Sequence, residues 1–143
     1  MAVTVKKVVL WRGRIDNRPG TLAAALEPLA AAKTDLQVLM GYREPGQSQA
    51  ALELYPVAGA KATAAAGRSG LAAAAPTSLL VSGDNKAGVG HRISRALGDA
   101  GINVNFLVAQ AVGRKYSMVF GFDSEADADN AAKVIKKAAS AKG

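Results

Sequence analysis

The stretch Asp16-Asn17-Arg18-Pro19-Gly20 has a counterpart in this chain, because Asp84-Asn85-Lys86-Ala87-Gly88 repeats its pattern 68 residues later. The same offset, without a gap, aligns apolar positions further along, such as Leu29 with Leu97 and Leu39 with Leu107. Internal similarity at a fixed offset is typical of a repeated structural unit. The sequence therefore predicts a tandem duplication, with a first module at residues 1–75 and a second at residues 76–143.

Each repeat has the same order of predicted elements. Short apolar runs typical of buried strands precede the turn, at Val8 to Arg12 and at Leu79 to Ser82. An amphipathic helix follows, and then strict alternation predicts a half-buried strand, as in Leu36/Val38/Met40/Tyr42 and Val104/Phe106/Val108. A hairpin turn, a returning strand and a second helix complete the unit, and Ser124 is the predicted cap of the last helix.

This order indicates an α+β fold of two tandem ferredoxin-like βαββαβ modules, with helices packed on antiparallel sheets. The fourth strand is weakly indicated in both repeats. Leu71 to Ala75 is the candidate in the first, although alanine favours helix, and no strand is visible before Gly143 in the second. The offset also aligns Leu52 and Leu54 with Phe120 and Phe122.

An apolar surface on the sheets predicts self-association. Leu39 and Leu107 lie between the alternating positions that are predicted to face the helices, such as Val38 and Val108. Because successive residues of a strand point to opposite faces, we expect Leu39 and Leu107 on the face opposite the helices. The second repeat also leaves a sheet edge unpaired if its fourth strand is missing. Open edges and apolar patches are usually covered, which predicts a homo-oligomer, a dimer or larger.

Composition excludes several classes of protein. The 143 residues include 18 Lys and Arg, 11 Asp and Glu, one His and no Cys, which excludes a disulfide framework and a thiolate metal site. No apolar run reaches the roughly 18 residues of a transmembrane helix, and no signal-peptide core precedes Ile15. We therefore expect a cytoplasmic protein with no membrane partner.

No arrangement of residues typical of catalysis is found. His91 lies early in a predicted helix without a nucleophile or a second histidine nearby, so we interpret it as a solvated or capping residue. The glycines at 83, 88 and 90 match no phosphate-binding loop. We expect no enzyme activity, no catalytic residue, no metal site and no cofactor.

The repeated turn has chemistry that suits a small ligand. It precedes a helix start, where free backbone N–H groups favour a carboxylate or phosphate. Asp16 or Asp84 can receive an ammonium group, while Asn17 or Asn85 can both donate and accept hydrogen bonds. A zwitterion such as a free amino acid fits these groups, but Asx turns and helix caps use the same residues for local reasons. The turn alone leaves both interpretations open.

The segment Ile15 to Leu22 resembles the loop of ACT domains, which are small-molecule regulatory modules of βαββαβ topology, and Ala100 to Asn105 resembles their junction between first helix and second strand. The resemblance covers nearly the whole chain as two modules. It implies that an amino acid binds between two modules, at the loop of one and the second-strand start of the other. Together with the turn chemistry, it implies these ligand-binding residues: Asp16, Asn17, Arg18, Gly20, Asp35, Asp84, Asn85, Gly88 and Asn103.

Two positions depart from the family pattern. Some serine-binding members carry a histidine two residues before the loop asparagine, where this chain has Ile15 and Gly83. Ala87 replaces the loop proline in the second repeat. The intact Arg18-Pro19-Gly20 turn predicts that the first repeat holds the better ligand loop.

We therefore expect a regulatory or sensor protein that binds an amino acid or a similar small zwitterion and acts on an unidentified enzyme. Two alternatives remain. One is a nucleic-acid-binding split-βαβ module, suggested by the formal charge of +7 and by Arg12, Arg14 and Arg18 near the first loop. It is less favoured because Phe106, Phe120 and Phe122 are expected in the core rather than exposed for stacking. The other is an oligomerisation module with a degenerate ligand site.

Overall fold

The computed structural model describes residues 3–140, which form two compact units. The inserted module is Val9–Ala75, and the split module joins the residues up to Val8 with those from Pro76 onward. In chain order the elements are β1 (Thr4–Val8), β2 (Trp11–Asp16), α1 (Thr21–Ala31), β3 (Val38–Arg43), β4 (Gln49–Tyr55), α2 (Ala60–Arg68), β5 (Ala72–Ala73), β6 (Ser78–Asp84), α3 (Val89–Asp99), β7 (Phe106–Val112), β8 (Lys115–Gly121) and α4 (Glu125–Ser140). None of these helices is long and apolar enough to cross a membrane.

The inserted module is a βαββαβ unit with strand order β3-β4-β2-β5, all neighbours being antiparallel. Leu52 and Leu54 of β4 are fully buried in one core with Leu29 of α1. Alanines contribute much of the helical side of this core, at positions 25, 65 and 66. The fourth strand is only two residues long, as expected from a run of alanines, and it pairs with Trp11 and Arg12.

The split module has strand order β1-β6-β8-β7, and β1 takes the place of the missing fourth strand. The expectation that the second repeat ends with an open edge beside β6 is therefore wrong. The division at residues 1–75 and 76–143 differs from the structure for the same reason, since the residues up to Val8 lie with the second repeat. The segment from Val8 to Arg12, expected to be one strand, instead contains the end of β1 in the split module and the start of β2 in the inserted module.

An ion pair network holds β1 to α4 within the split module. Lys7 Nζ lies 2.5 Å from Glu125 Oε2 and 3.0 Å from Asp129 Oδ1. The hydrogen bonds to these carboxylates raise the pKa of Lys7 above its ordinary value. Behind them, Leu79, Ile93, Phe120 and Ile135 form the most deeply buried part of the module's core, together with Val81, Leu97, Ala128 and Ala131.

The predicted side of Leu39 and Leu107 is also wrong. Cross-strand partners share a face of a sheet, and these two residues pair with the core residues Leu54 and Phe120, so they lie on the helix side. They remain 46% and 40% exposed because β3 and β7 are edge strands. Phe106 pairs with Gly121 and lies on the other face from Phe120, so the expectation that it shares a core face with Phe120 is wrong as well.

Counted between equivalent cross-strand pairs, the connection from β7 to β8 is two residues shorter than the connection from β3 to β4. The alignment of the two repeats therefore shifts by two residues beyond this hairpin. Trp11 pairs with Leu54, and its counterpart Leu79 pairs with Phe120. The structural equivalent of Leu54 is therefore Phe120, not Phe122. By the same register, the pair Ile15 and Ala50 is equivalent to the pair Gly83 and Tyr116.

Candidate functional site

The predicted ligand loop of the inserted module joins β2 to α1. Gly20 is the N-cap residue of α1 and has φ of +87°, a backbone conformation that glycine adopts without strain. The Thr21 hydroxyl oxygen lies 2.5 Å from the carbonyl oxygen of Asp16 and 2.9 Å from that of Arg18, which closes the loop. The backbone N–H of Asn17 donates to the Ser48 carbonyl at 3.3 Å.

The loop of the split module has the same geometry between β6 and α3. Gly88 is the N-cap residue of α3, again with φ of +87°. The backbone N–H of Asn85 donates to the Arg114 carbonyl at 2.7 Å. Within residues 3–140, the side-chain amides of Asn17 and Asn85 have no hydrogen-bond partner, and both residues are exposed.

These loop residues do not cap the helices that follow them. The helices α1 and α3 have no side-chain cap and no acidic residue in their first turn. By contrast α4 is capped as predicted, because Ser124 Oγ accepts from the Asp127 N–H at 3.1 Å, and its first turn is acidic. The local interpretation of the asparagines as caps is therefore not supported, and the two helix starts leave donors for another group.

The two loop aspartates already have cationic partners. Asp16 Oδ2 lies 3.2 Å from Arg18 Nη2, and Lys115 Nζ donates to Asp84 Oδ1. The hydrogen bond from Lys115 lowers the pKa of Asp84 below its ordinary value. Exposed pairs of this kind are worth little and exchange readily for another cation. A ligand ammonium group must therefore compete with Arg18 or Lys115.

Asp35 and Asn103 do not lie near the loops of their own modules. Both β2 and β3 are antiparallel to β4, so β2 and β3 run in the same direction. Asp35 precedes the start of β3, whereas the loop follows the end of β2, so the two lie at opposite ends of the sheet. In the split module β6 and β7 also run in the same direction, and Asn103 lies at the opposite end of the sheet from the loop after β6. At about 3.3 Å per residue, the length of β2 separates the two ends by roughly 17 Å. One module alone cannot bring a loop and a strand start onto one small ligand.

A cavity of about 530 Å³ lies beside Asp35 in the inserted module, at the end of the sheet away from the loop. It is lined by Thr34, Asp35, Gln37, Pro56 and Lys61, among others. The N-terminus of α2 contributes to it, with Lys61 in the first turn and no acidic residue there. Among residues 3–140, no group of three or more His, Asp or Glu side chains is placed to hold a metal ion.

Sequence reasoning missed two residues beside the loop of the split module. Tyr116 is 4% exposed, and its hydroxyl lies over the backbone of Gly83, just before the loop. Arg92, in the first turns of α3, has a buried Nε that no acceptor within the described residues, 3–140, meets. The signal that could have found Tyr116 is the exchange of a large and a small residue between the repeats, at positions 83 and 116.

No protein-family model and no curated protein matches the chain. Solved structures do match it. A protein of Bacteroides thetaiotaomicron has a TM-score of 0.73 at 17% identity, over 91% of this chain and 87% of that one. The ligand-free regulatory subunit of aspartate kinase from Thermus thermophilus has a TM-score of 0.66 at 18% identity, over 96% and 97% of the two chains.

An aspartate kinase of Clostridium acetobutylicum, described as an allosteric enzyme, matches 96% of this chain with 34% of its own length, at 16% identity and a TM-score of 0.64. At such identities the likeness is one of fold, and it extends over nearly the whole chain. The expected α+β fold is confirmed: the chain has the tandem ACT-type fold that the regulatory subunits of aspartate kinase also have.

Proposed function

We propose that this protein is a regulatory module without catalytic activity, which binds an amino acid or a similar small zwitterion at its Asp-Asn loops. The observation that carries the proposal is a pair of exposed asparagine amides, each beside a helix start. Among residues 3–140, no group pairs with these amides and no side chain caps these helices. A purely local role would use these groups for capping, as Ser124 does for α4. The fold likeness to regulatory subunits of aspartate kinase supports a regulatory role.

The ligand site at the loop of the split module is completed by a second copy of the chain. Edge strand β7 is seven residues long, carries no charge and leaves Leu107, Val108 and Val112 between 40% and 71% exposed. Uncharged edges with free backbone groups pair readily with another strand, and a two-fold pairing of β7 with itself is self-complementary. Such antiparallel pairing brings the partner subunit's Asn103 to the loop end of the joined sheet. The regulated partner is then an enzyme that responds to the liganded dimer.

A thermal-shift screen of the twenty amino acids tests ligand binding, and calorimetry measures the affinity of those that stabilise the protein. Ligand at 100 times its Kd adds about 2.7 kcal/mol, which raises Tm by several degrees for a chain of this size. Asn17→Ala weakens binding more than Asn85→Ala, because Pro19 presets the turn of the first loop. Asn130→Ala, an exposed asparagine of α4, is the matched control and leaves affinity unchanged. If no amino acid stabilises the protein, the proposal fails.

The dimer has its own test. Val108→Lys places a charge on the β7 edge, so we expect a monomer in sedimentation analysis and weaker ligand binding. Leu22→Lys changes a residue of α1 that is 42% exposed but lies on no sheet edge, and it should leave the dimer intact. A wild-type monomer at tens of micromolar contradicts the shared site.

The nucleic-acid alternative is separated by the same screen. Arg12 is paired with Glu53, which is 4% exposed, and this pairing leaves its charge partly neutralised. Any shift produced by an oligonucleotide should therefore fade by physiological salt. A salt-resistant oligonucleotide shift without any amino-acid shift would replace the regulatory proposal with nucleic-acid binding.

A further inference from the structure

The loop end of the split module holds an excess of hydrogen-bond donors. Lys86 lies in the loop itself, Arg114 and Lys115 are in the adjacent hairpin, and Arg92 follows on α3. The carboxylate of Asp84 is bound to Lys115 and offsets one of these charges. The helix start of α3 adds backbone N–H groups and a partial positive charge without an acidic residue in its first turn.

One of these donors, the Arg92 Nε, is buried and has no hydrogen-bond partner among residues 3–140. Tyr116 is 4% exposed, and its hydroxyl forms no hydrogen bond within the same residues. A buried donor without an acceptor costs free energy, more when it is charged. The Tyr116 side chain lies at the loop end of the module, because its hydroxyl is 2.8 Å from the position that a Cβ on Gly83 would occupy. Arg92 belongs to the first turns of α3, the helix that begins at this loop. Arg92 and Asp84 are close enough to Tyr116 to affect its ionisation.

The inserted module lacks this arrangement. Its equivalent residues are Ala24 for Arg92, Ile15 for Gly83 and Ala50 for Tyr116. The two loops share their backbone geometry but differ in the side chains beneath them. Tyr116 fills the space over Gly83 that Ile15 fills in the inserted module, whereas Arg92 has only an alanine as its counterpart.

We propose that Arg92 and Tyr116 form a subsite for an anionic group, a carboxylate or a phosphate, at the loop of the split module. The subsite selects ligands that carry a negative charge in addition to the α-carboxylate, such as dicarboxylic or phosphorylated amino acids. Arginine suits this task because its planar donors match the oxygens of carboxylate and phosphate. The inference rests on the proposed ligand-binding function and names the class of ligand for one of its two loops.

Calorimetry on the full chain compares L-aspartate and L-glutamate with their neutral isosteres L-asparagine and L-glutamine. We expect the acids to bind about tenfold or more tightly, in line with a hydrogen bond to a charged group. O-phospho-L-serine and inorganic phosphate distinguish the two sources of the anion. Tighter binding of phosphoserine than of aspartate assigns the subsite to phosphate, and the reverse order assigns it to carboxylate.

Variants test the assignment to these two residues. Arg92→Gln should abolish the preference for acid over amide, and Tyr116→Phe should weaken acid binding while its ring keeps the packing over Gly83. Arg95→Gln is the matched control, because Arg95 lies on the same helix but pairs with Asp99 at 3.2 Å. It should leave the preference unchanged.

Two results overturn the inference. If acids and amides bind the wild type equally, or if Arg92→Gln keeps the preference, no anionic subsite exists at these residues. In either case neutral amino acids still bind, so the proposed function stands without it. If no ligand in the series binds at all, the inference and the proposed function fail together.

Discussion

The hydroxyl of Tyr116 lies against the backbone of Gly83, in the space where any larger residue at position 83 would place its side chain. A Cβ built on Gly83 would lie 2.8 Å from Tyr116 Oη and 2.9 Å from Cε2. The equivalent pair in the inserted module is Ile15 and Ala50, so the repeats place their large residue on opposite strands. A large residue at one of these two positions therefore requires a small residue at the other.

This relationship predicts a rescue. Gly83→Ala should lower the free energy of unfolding by about 1–3 kcal/mol, because it overpacks the buried tyrosine ring. Combining Gly83→Ile with Tyr116→Ala should recover much of the loss, since it recreates the pair of the inserted module. Urea denaturation measures both. Gly90→Ala, where a Cβ meets no atom within 4 Å, is the control and should not destabilise the protein. Equal losses in the single and the double variant contradict the pairing.

Lys33 predicts a stabilising substitution at the end of α1. It has φ of 57°, and the bonds from its N–H to the Ala30 carbonyl and from the Thr34 N–H to the Leu29 carbonyl form a Schellman motif. The equivalent residue after α3 is Gly101, with φ of +72°. Lys33→Gly should add about 1 kcal/mol to the free energy of unfolding. Lys33→Ala keeps the strain and removes the charge, so thermal denaturation should show no gain; a gain there would assign the effect to charge.

Thr34 carries a buried hydroxyl for which the described part of the chain, residues 3–140, offers no hydrogen-bond partner. The equivalent position in the split module is Ile102. Thr34→Val keeps the shape of the side chain and the hydrogen bond from the backbone N–H to the Leu29 carbonyl, and it removes the unsatisfied hydroxyl oxygen. We expect a gain of about 1 kcal/mol in the free energy of unfolding. Thr34→Ser retains the hydroxyl and should show no gain. If valine and serine give the same stability, the hydroxyl is not the cause.

The position of β1 predicts where a change near the N-terminus acts. Val5 pairs with Val81 and packs against the core of the split module, so Val5→Asp should cost about 1–3 kcal/mol. Amide hydrogen exchange should accelerate in β6 and β8, with β2 and β4 much less affected. Lys6→Gln, on the exposed side of the same strand, is the control. Faster exchange confined to β2 and β4 would falsify the assignment of β1 to the split module.

Tyr116 predicts a loss of stability at alkaline pH. Burial raises the pKa of Tyr116 above its ordinary value of 10.0; nearby Asp84 adds to this effect and Arg92 opposes it. A tyrosine whose pKa is higher in the folded state stabilises the fold fully below pH 10, and this contribution disappears as pH rises through the raised value. The difference in denaturation midpoint between wild type and Tyr116→Phe should therefore be constant below pH 10, and above pH 10 the wild type should lose stability relative to the variant. A difference that does not change with pH contradicts the raised pKa.

Local patterns predicted the parts of the fold that depend on neighbouring residues. The repeated turn located both loops and the starts of α1 and α3, and the alternation located β3 and β7. The face of Leu39 was assigned wrongly because an edge strand is exposed on both sides. Its alternation therefore does not show which side meets the helices. The order of β1 was missed because its partner, β6, lies more than half the chain away, and no local pattern carries that pairing.

The candidate site likewise contains residues that a local sequence pattern identified and residues that it did not. Asn17 and Asn85 were identified because a short loop before a helix is a local signal, and both are exposed there. Asp35 and Asn103 came from the family resemblance, and the parallel course of β2 and β3 shows that a single module cannot use them with its own loop. Arg92 and Tyr116 could not be paired from sequence, because their proximity depends on a hairpin two residues shorter than its counterpart.

The insertion of one module between β1 and β6 has a consequence for biosynthesis. Translation delivers β1 first, but its hydrogen-bonding partner appears only after all of Val9–Ala75 has been made. Closing so long a loop is entropically costly for an unfolded chain. The inserted module reduces this cost when it folds, because the bond from the Ala74 N–H to the Leu10 carbonyl holds its two ends together. Once folded, it acts as the turn of a hairpin whose strands are β1 and β6. We therefore expect the inner module to fold before the outer one as the chain leaves the ribosome.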